Sequence, residues 1–126
     1  METMRGDFLI SSDKNRLQVD MIHRYLVEQA YWTTGRTREM TERSIENSLC
    51  FGIYHHDQQI GFARVVTDHT VFGYLCDLFV LNEYQGQGLG KWLIETMLAF
   101  LDEEGVRWTM LATRFAEVSR ALLLPM

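Results

Sequence analysis

The sequence contains few residues that would interrupt or cross-link a folded chain. Only one of its 126 residues is a proline, Pro125, so no interior element is broken by one. The two cysteines, Cys50 and Cys76, lie in apolar, strand-like runs, and neither belongs to a CxxC pair or lies near an HxxxH pair. This pattern predicts buried thiols in a reducing cell, and it predicts no metal site.

Long apolar runs and an excess of basic charge are also absent. No run approaches the ~20 apolar residues that span a bilayer, and Met1 to Asp7 is polar, without the core of a signal peptide. We therefore expect a cytoplasmic protein with no membrane partner. The net charge of -5 argues against nucleic acid as a partner and is compatible with a cationic substrate such as an amine. The length and the 47% hydrophobic content predict one globular domain over residues 1–126.

Hydrophobic periodicity predicts two helices near the N-terminus, after a first strand at Phe8 to Ser11. Ser12 or Asp13 is expected to cap the first helix, which carries Leu17, Met21, Ile22 and Tyr25. Thr37 is expected to cap the second, which carries Met40, Ile45 and Leu49 on one side. The later elements are a hairpin of Leu49–Tyr54 and Gln59–Thr67, a strand Val71–Leu81, an amphipathic helix Leu89–Asp102 ended by Gly105, and a strand Trp108–Ala112.

This order predicts an α/β fold with a mixed, mostly antiparallel sheet flanked by helices. The crossover helix joins two parallel strands, Val71–Leu81 and Trp108–Ala112. Because Val71–Leu81 is almost continuously apolar, we expect it at the centre of the sheet and buried on both faces. His55 and His56 lie in the turn of the hairpin and are expected to be solvated.

The most informative feature is the glycine-rich turn between the central strand and the long helix. It runs Gln85-Gly86-Gln87-Gly88-Leu89-Gly90-Lys91. Glycines let a backbone approach a ligand closely, and a helix N-terminus presents free N–H groups and a positive dipole to a phosphate. A P-loop does not fit, because Trp92 follows the lysine, and a dinucleotide-binding turn would place Lys91 at its third glycine.

A third family fits the turn well. Gln85-x-x-Gly88-x-Gly90 resembles the [QR]-x-x-G-x-[GA] signature of the GCN5-related N-acetyltransferases, and the run from Asp77 to Lys91 is similar to the family's strand, turn and helix. The resemblance extends from Phe8 to about Thr113. It implies the acyl-CoA N-acyltransferase fold, acetyl-CoA as acetyl donor, and transfer to a primary amine of a small molecule or protein.

The resemblance also implies which residues bind the cofactor. Backbone amides of the turn would bind the pyrophosphate, the preceding strand would pair with the pantetheine arm, and an N–H near Val80 would stabilise the oxyanion. The implied cofactor-binding residues are Leu78, Phe79, Val80, Gln85, Gly86, Gln87, Gly88, Leu89, Gly90 and Lys91. Tyr31 and Trp32 fall where the family often lines its acceptor pocket, and an ordinary packing role is the alternative for both.

The end of the chain departs from the family pattern. The run Phe115–Met126 contains no tyrosine and no GF pair, and it is too short for the family's two closing strands. We therefore expect the fold of the GCN5-related N-acetyltransferases (GNAT) without its final hairpin. The catalytic residues are left unknown. Tyr74 and Asp77 are the candidates, although Asp77 could instead be a structural partner of Arg64. The alternative function is a catalytically impaired acyl-CoA-binding or interaction protein.

The same departure predicts self-association. Without the closing hairpin, the edge of the strand Trp108–Ala112 would expose its backbone donors and acceptors. The apolar run Ala121–Leu124 would add an exposed hydrophobic patch that favours association. We therefore expect a homodimer, the commonest closed assembly.

Overall fold

A computed structural model describes residues 1–29, 35–111 and 124–125, which form a seven-stranded sheet in sequence order. The strands are β1 Glu2–Arg5, β2 Phe8–Ser11, β3 Leu49–His55, β4 Gln58–Thr67, β5 Phe72–Val80, β6 Trp108–Leu111 and β7 Leu124–Pro125. The α-helices are α1 Val19–Glu28, α2 Arg38–Glu46 and α3 Leu89–Glu103, with short 3₁₀ turns at Lys14–Arg16 and Asn82–Tyr84. Within these residues, no helix combines the length and apolar character needed to cross a membrane.

The predicted mixed sheet is confirmed. Every neighbouring pair of strands is antiparallel except β5 and β6, which run parallel from Phe72 opposite Trp108 to Leu75 opposite Leu111. The amphipathic α3 makes the crossover between these two strands, as its apolar stripe requires. It ends as predicted at Gly105, whose φ of +92° is the left-handed conformation that glycine favours.

A β-bulge in β5 changes which face each side chain occupies. Arg64 of β4 lies opposite Asp77, whereas the next residue, Val65, lies opposite Leu75, so Cys76 is the extra residue. Leu75 therefore packs on the α3 side of the sheet, and Asp77 is directed to the opposite side. Strict alternation along the strand would instead put Leu75 and Asp77 on the same face of the sheet.

Two apolar clusters hold helices on the two faces of the sheet. One lies beneath α3 and includes Phe51, Leu75, Leu93, Met97 and Leu101, all fully buried. The other lies beneath α1 and α2 and includes Ile22, Leu26, Cys50, Phe62 and Phe79. Burying each large side chain contributes about 1.5–3 kcal/mol to stability. These contacts therefore fix the helices against the sheet and hold the β5–α3 junction in place.

The N-terminal strand β1 was not predicted. Its side chains are mostly exposed, and it is held by backbone pairing with β2 and by polar contacts. Glu2 accepts hydrogen bonds from Ser11 Oγ and Arg16 Nε, both at 2.8 Å. A strand stabilised in this way leaves no hydrophobic pattern in the sequence.

The predicted start of the first helix was wrong. Asp13 caps only the 3₁₀ turn, accepting from the Asn15 amide at 2.9 Å, and α1 begins at Val19. The intervening Gln18 is held by a reciprocal pair of hydrogen bonds with Gln59, which anchors the chain to β4 before the helix begins. A contact across 41 residues could not be read from local spacing.

The second helix begins as predicted, with Thr37 Oγ1 accepting from the Met40 amide at 3.2 Å. The expected inner side was partly wrong, because Met40 is exposed while Thr41 and Ile45 are buried. Leu49 belongs to β3 rather than to the helix side.

Two expectations about the sheet's far side also need correction. The edge of β6 is not fully open, because β7 pairs antiparallel with it at Trp108 and Thr109. Nor is β5 buried on both faces along its whole length, since Phe72 is 38% exposed and Tyr74 is half-buried. The expectations for Tyr31, Trp32 and the run Phe115–Leu123 lie outside the described residues.

Candidate functional site

The C-terminal half of β5 presents a free backbone edge. Pairing with β6 stops at Leu75, and in the described part of the chain no strand pairs with that side of the run Cys76–Val80. The Leu81 amide donates to Ile60 O at 2.8 Å, so the backbone of Leu81 faces β4. Because successive residues of a strand face its two neighbours in alternation, the N–H and C=O groups of Val80 and Leu78 face away from β4, toward the free edge.

The turn after β5 is shaped by its glycines and by one glutamine. Gly86 and Gly88 have φ values of +85° and +81°, in the left-handed region that other residues rarely adopt. Gln85 Nε2 donates to Val80 O at 2.8 Å and to Asn82 Oδ1 at 3.2 Å, which ties the turn to the end of the strand. The glycines are therefore a backbone requirement of this turn.

The N-terminus of α3 opens onto the turn. Gly88 is the N-cap and has no side chain with which to satisfy the helix. The first intrahelical hydrogen bond runs from the Trp92 amide to Gly88 O at 3.0 Å. The amides of Leu89, Gly90 and Lys91 consequently have no partner inside the helix, and they form a positive end suited to an anion.

A pocket of about 290 Å³ lies between the strand edge and this turn. Six of the ten predicted cofactor-binding residues line it, together with Tyr84, which was not predicted: Leu78, Phe79, Val80, Tyr84, Gln85, Gly86 and Gly90. Leu89 is buried in the core, and the side chains of Gln87 and Lys91 are exposed. The role of all ten as cofactor contacts stays a prediction.

Comparison with known proteins identifies the family. Residues 15–122 match the Acetyltransferase (GNAT) family. An acetyltransferase-family protein of Gibberella zeae is 32% identical over 112 residues, which cover 74% of this chain and 63% of that protein. The chain belongs to the GNAT acetyltransferase family. It spans between half and two thirds of the length of the first curated relatives it matches.

Solved structures agree with the GNAT assignment. A GNAT-family protein of Xanthomonas campestris is 37% identical, with a TM-score of 0.83 over 90% of this chain and 80% of its own. A GNAT acetyltransferase of Elizabethkingia anophelis, solved with acetyl-CoA bound, has a TM-score of 0.69 over 93% of this chain and 72% of its own. At 10% identity the latter shows a shared fold alone. The predicted family and fold class are confirmed.

Asp77 is the centre of a buried ion cluster in this GNAT chain. Its carboxylate is 1% exposed and accepts from Arg64 Nε at 2.6 Å and from Arg36 Nη1 at 3.2 Å. Arg64 also donates to Ser48 Oγ at 3.1 Å. The predicted pairing of Asp77 with Arg64 is confirmed, and two guanidinium groups offset the cost of burying this carboxylate. The catalytic role of Asp77 stays a prediction.

Tyr74, the other catalytic candidate, lies before the bulge in β5. A Cβ at the neighbouring Gly73 would face Leu101 of α3, so Tyr74 points to the opposite side of the sheet. There its ring stacks on Phe72 at 6.4 Å between centroids. Neither Tyr74 nor Asp77 lines the pocket.

An aromatic stack between α1 and β5 holds Phe79, one of the residues that line the pocket. The Tyr25 ring of α1 lies 3.9 Å from the ring of Phe79 and nearly parallel to it. Burial raises the pKa of the Tyr25 hydroxyl, which is already protonated at neutral pH at its ordinary value. Helix α1 thus fixes the position of a pocket-lining side chain through a contact that the sequence periodicity alone did not indicate.

Neither cysteine of the GNAT chain is activated. Burial raises the pKa of Cys50 to about 11, and burial also raises the pKa of the partly buried Cys76. The thiolate is the reactive form of cysteine, so both thiols are poor nucleophiles near neutral pH. The prediction of buried thiols is confirmed for Cys50, while Cys76 is only partly buried at the bulge.

The histidine at the end of β3 is not simply solvated, contrary to prediction. His55 stacks on Phe8 with centroids 4.9 Å apart, and its Nδ1 lies 2.9 Å from the hydroxyl of Tyr84. His56 is exposed, as expected, with a left-handed φ of +56°. The contact between His55 and Tyr84 joins the β3–β4 turn to the wall of the pocket.

Proposed function

We propose that this chain binds acetyl-CoA at the junction of β5 and α3 and transfers the acetyl group to a primary amine. The observation that carries the proposal is the pocket between the free backbone edge of β5 and the glycine turn. An extended arm can add to such an edge as an extra strand does. A pyrophosphate suits the unpaired amides at the start of α3.

The roles of the residues follow from their positions. The N–H and C=O groups of Leu78 are oriented to pair with the pantetheine amides along the strand edge. The Val80 N–H is left for the thioester carbonyl, while Val80 O accepts from Gln85 Nε2 at 2.8 Å. The amides from Gly86 to Lys91 are proposed to hold the pyrophosphate, and left-handed Gly86 and Gly88 allow its close approach. Phe79, held by Tyr25, supplies an apolar wall.

The chemistry needs few side chains. The amine nitrogen attacks the thioester carbon, and the oxyanion that develops accepts a hydrogen bond from the Val80 amide. Collapse of the intermediate breaks the C–S bond, giving the amide and the CoA thiolate, while the amine loses one proton to solvent or a base. No general acid is assigned, since neither Tyr74 nor Asp77 lines the pocket.

Calorimetric titration with acetyl-CoA tests the site. Replacing Gly88 with valine forces a β-branched residue to φ = +81°, at a cost of about 1–3 kcal/mol, and places bulk where the phosphate would approach. The matched control is Gly105→Val, which imposes similar strain at φ = +92° at the far end of α3. We expect both variants to lose stability and only Gly88→Val to lose acetyl-CoA affinity, by about tenfold or more. Equal affinities in the two variants would place the cofactor elsewhere.

Release of free thiol from acetyl-CoA with a panel of amines separates an enzyme from the alternative function. Amine-dependent thiol release above the uncatalysed rate supports transfer. Tight acetyl-CoA binding with no thiol release for any amine would favour the catalytically impaired acyl-CoA-binding protein. Because loss of a general acid typically costs ~10²–10⁴ in rate, we expect turnover well below ~10 s⁻¹.

We also propose a cytoplasmic homodimer. The neighbouring registers Phe72–Trp108 and Tyr74–Met110 put a row of aromatic and apolar side chains on the sheet face opposite α3. Trp108 is 54% exposed, and Val66, Phe72 and Met110 are also exposed. A second copy would remove this patch from water.

A further inference from the structure

Two hairpin turns bring three metal-binding side chains together beside the pocket. Asp7 follows Gly6 in the turn between β1 and β2, and His56 opens the turn between β3 and β4. Because Phe8 lies opposite His55 in the β2–β3 register, the residues just beyond this pair meet at one end of the sheet. Ligand atoms of Asp7, His55 and His56 all lie within 4.8 Å of one another.

The donor set suits a first-row divalent metal ion. Two imidazole nitrogens and one carboxylate oxygen are ligands that Zn²⁺, Co²⁺ and Ni²⁺ accept in proteins. Ligand atoms on a tetrahedral zinc lie about 3.3 Å apart, given bonds of ~2.0–2.1 Å. Asp7 and His56 are exposed, so their side chains can rotate to close the remaining distance. Water would complete the coordination.

One ring nitrogen of His55 already has a hydrogen-bond partner. Its Nδ1 lies 2.9 Å from the Tyr84 hydroxyl, which leaves Nε2 as the free ring nitrogen. Its ring is held by stacking on Phe8, and the exposed His56 ring lies 4.4 Å away between centroids. A hydrogen bond to the second nitrogen, which selects the tautomer and the ring orientation, is the usual companion of a metal-bound histidine.

We propose that Asp7, His55 and His56 form a binding site for a divalent first-row transition metal, with Zn²⁺ as the test ion. The metal would join the β1–β2 and β3–β4 turns. Through His55 it would also immobilise Tyr84, a lining residue of the pocket. The proposal concerns the metal alone and does not depend on acetyl-CoA binding.

Titration of the untagged 126-residue chain with Zn²⁺ by calorimetry tests the site. The informative variant is His56→Gly, because glycine accepts the left-handed φ of +56° and removes only the ligand. The matched control is His69→Gly, since His69 is an exposed histidine with φ = +60° in the β4–β5 turn, paired with Glu104. We expect one Zn²⁺ per chain, affinity weaker by about 100-fold in His56→Gly and Asp7→Asn, and less than about twofold change in His69→Gly.

Two further readouts identify the ligands. The visible absorption of bound Co²⁺ should show nitrogen and oxygen coordination and should be lost in His56→Gly. Replacing Tyr84 with phenylalanine should weaken Zn²⁺ binding by about tenfold, because it removes only the partner of His55. The proposal is overturned if the chain binds no Zn²⁺, or if His56→Gly and His69→Gly bind it equally.

Discussion

Replacing Asp77 with asparagine should strongly destabilise the protein. The variant keeps the shape of the side chain and removes its charge, so Arg64 and Arg36 lose the carboxylate to which both donate. Removing one partner of a buried ion pair typically costs ~3–5 kcal/mol. Since the two arginines are 11% and 17% exposed and can be partly hydrated, we expect the lower end, about 3 kcal/mol.

The corresponding shift in melting temperature follows from the size of the chain. An unfolding entropy of ~2.1 cal/mol/K per residue gives about 0.26 kcal/mol/K for 126 residues. A loss of about 3 kcal/mol should therefore lower Tm by about 11 °C. Urea unfolding followed by circular dichroism measures the free energy directly, and differential scanning calorimetry measures Tm.

Asp102→Asn provides the matched control. Asp102 is 53% exposed and lies 3.8 Å from Arg107, so its substitution should cost no more than about 1 kcal/mol. A double variant, Asp77→Leu with Arg64→Met, replaces the main ion pair with apolar side chains and should regain about half or more of the loss. Equal effects of Asp77→Asn and Asp102→Asn would refute the ion-cluster argument.

The same variant also distinguishes a structural carboxylate from a catalytic one. Because Asp77 does not line the pocket, the folded fraction of Asp77→Asn should bind acetyl-CoA as the unmodified chain does. If the variant were fully stable but released no thiol from acetyl-CoA, Asp77 would instead be part of the catalytic machinery.

Two other predictions follow from burial and exposure. Because burial raises the pKa of Cys50 from 9.0 to about 11, iodoacetamide should alkylate Cys50 far more slowly at pH 8 in the native chain than in the unfolded chain. Mass spectrometry of the treated protein measures the two rates, and equal rates would contradict the prediction. The same raised pKa means that the unfolded state loses its proton first, so this contribution to stability is lost as pH rises from about 9 to about 11. Trp108→Glu should convert a dimer to a monomer in light scattering after size exclusion, whereas Met4→Glu, at an exposed position on the opposite edge of the sheet, should not. A clean monomer of the unmodified chain would end the dimer proposal.

Local patterns in the sequence were sufficient for the outline of the fold. The amphipathic stripe of α3, the β3–β4 hairpin and the crossover to β6 depend on the periodicity of neighbouring residues, and each was confirmed. The glycine turn was recognisable because its backbone takes positive φ at Gly86 and Gly88, a conformation that favours a residue without a Cβ. These features need no knowledge of distant contacts.

Tertiary structure alone decided the features that depend on register and long-range contacts. The bulge at Cys76 turns Asp77 toward Arg64 and Arg36, and no periodicity announces where an extra residue enters a strand. The meeting of Asp7 with His55 and His56 depends on β2 lying beside β3, across 48 residues of chain. Spacing along the sequence reports only neighbours one or two turns away, whereas a sheet brings together side chains whose separation in sequence carries no signal.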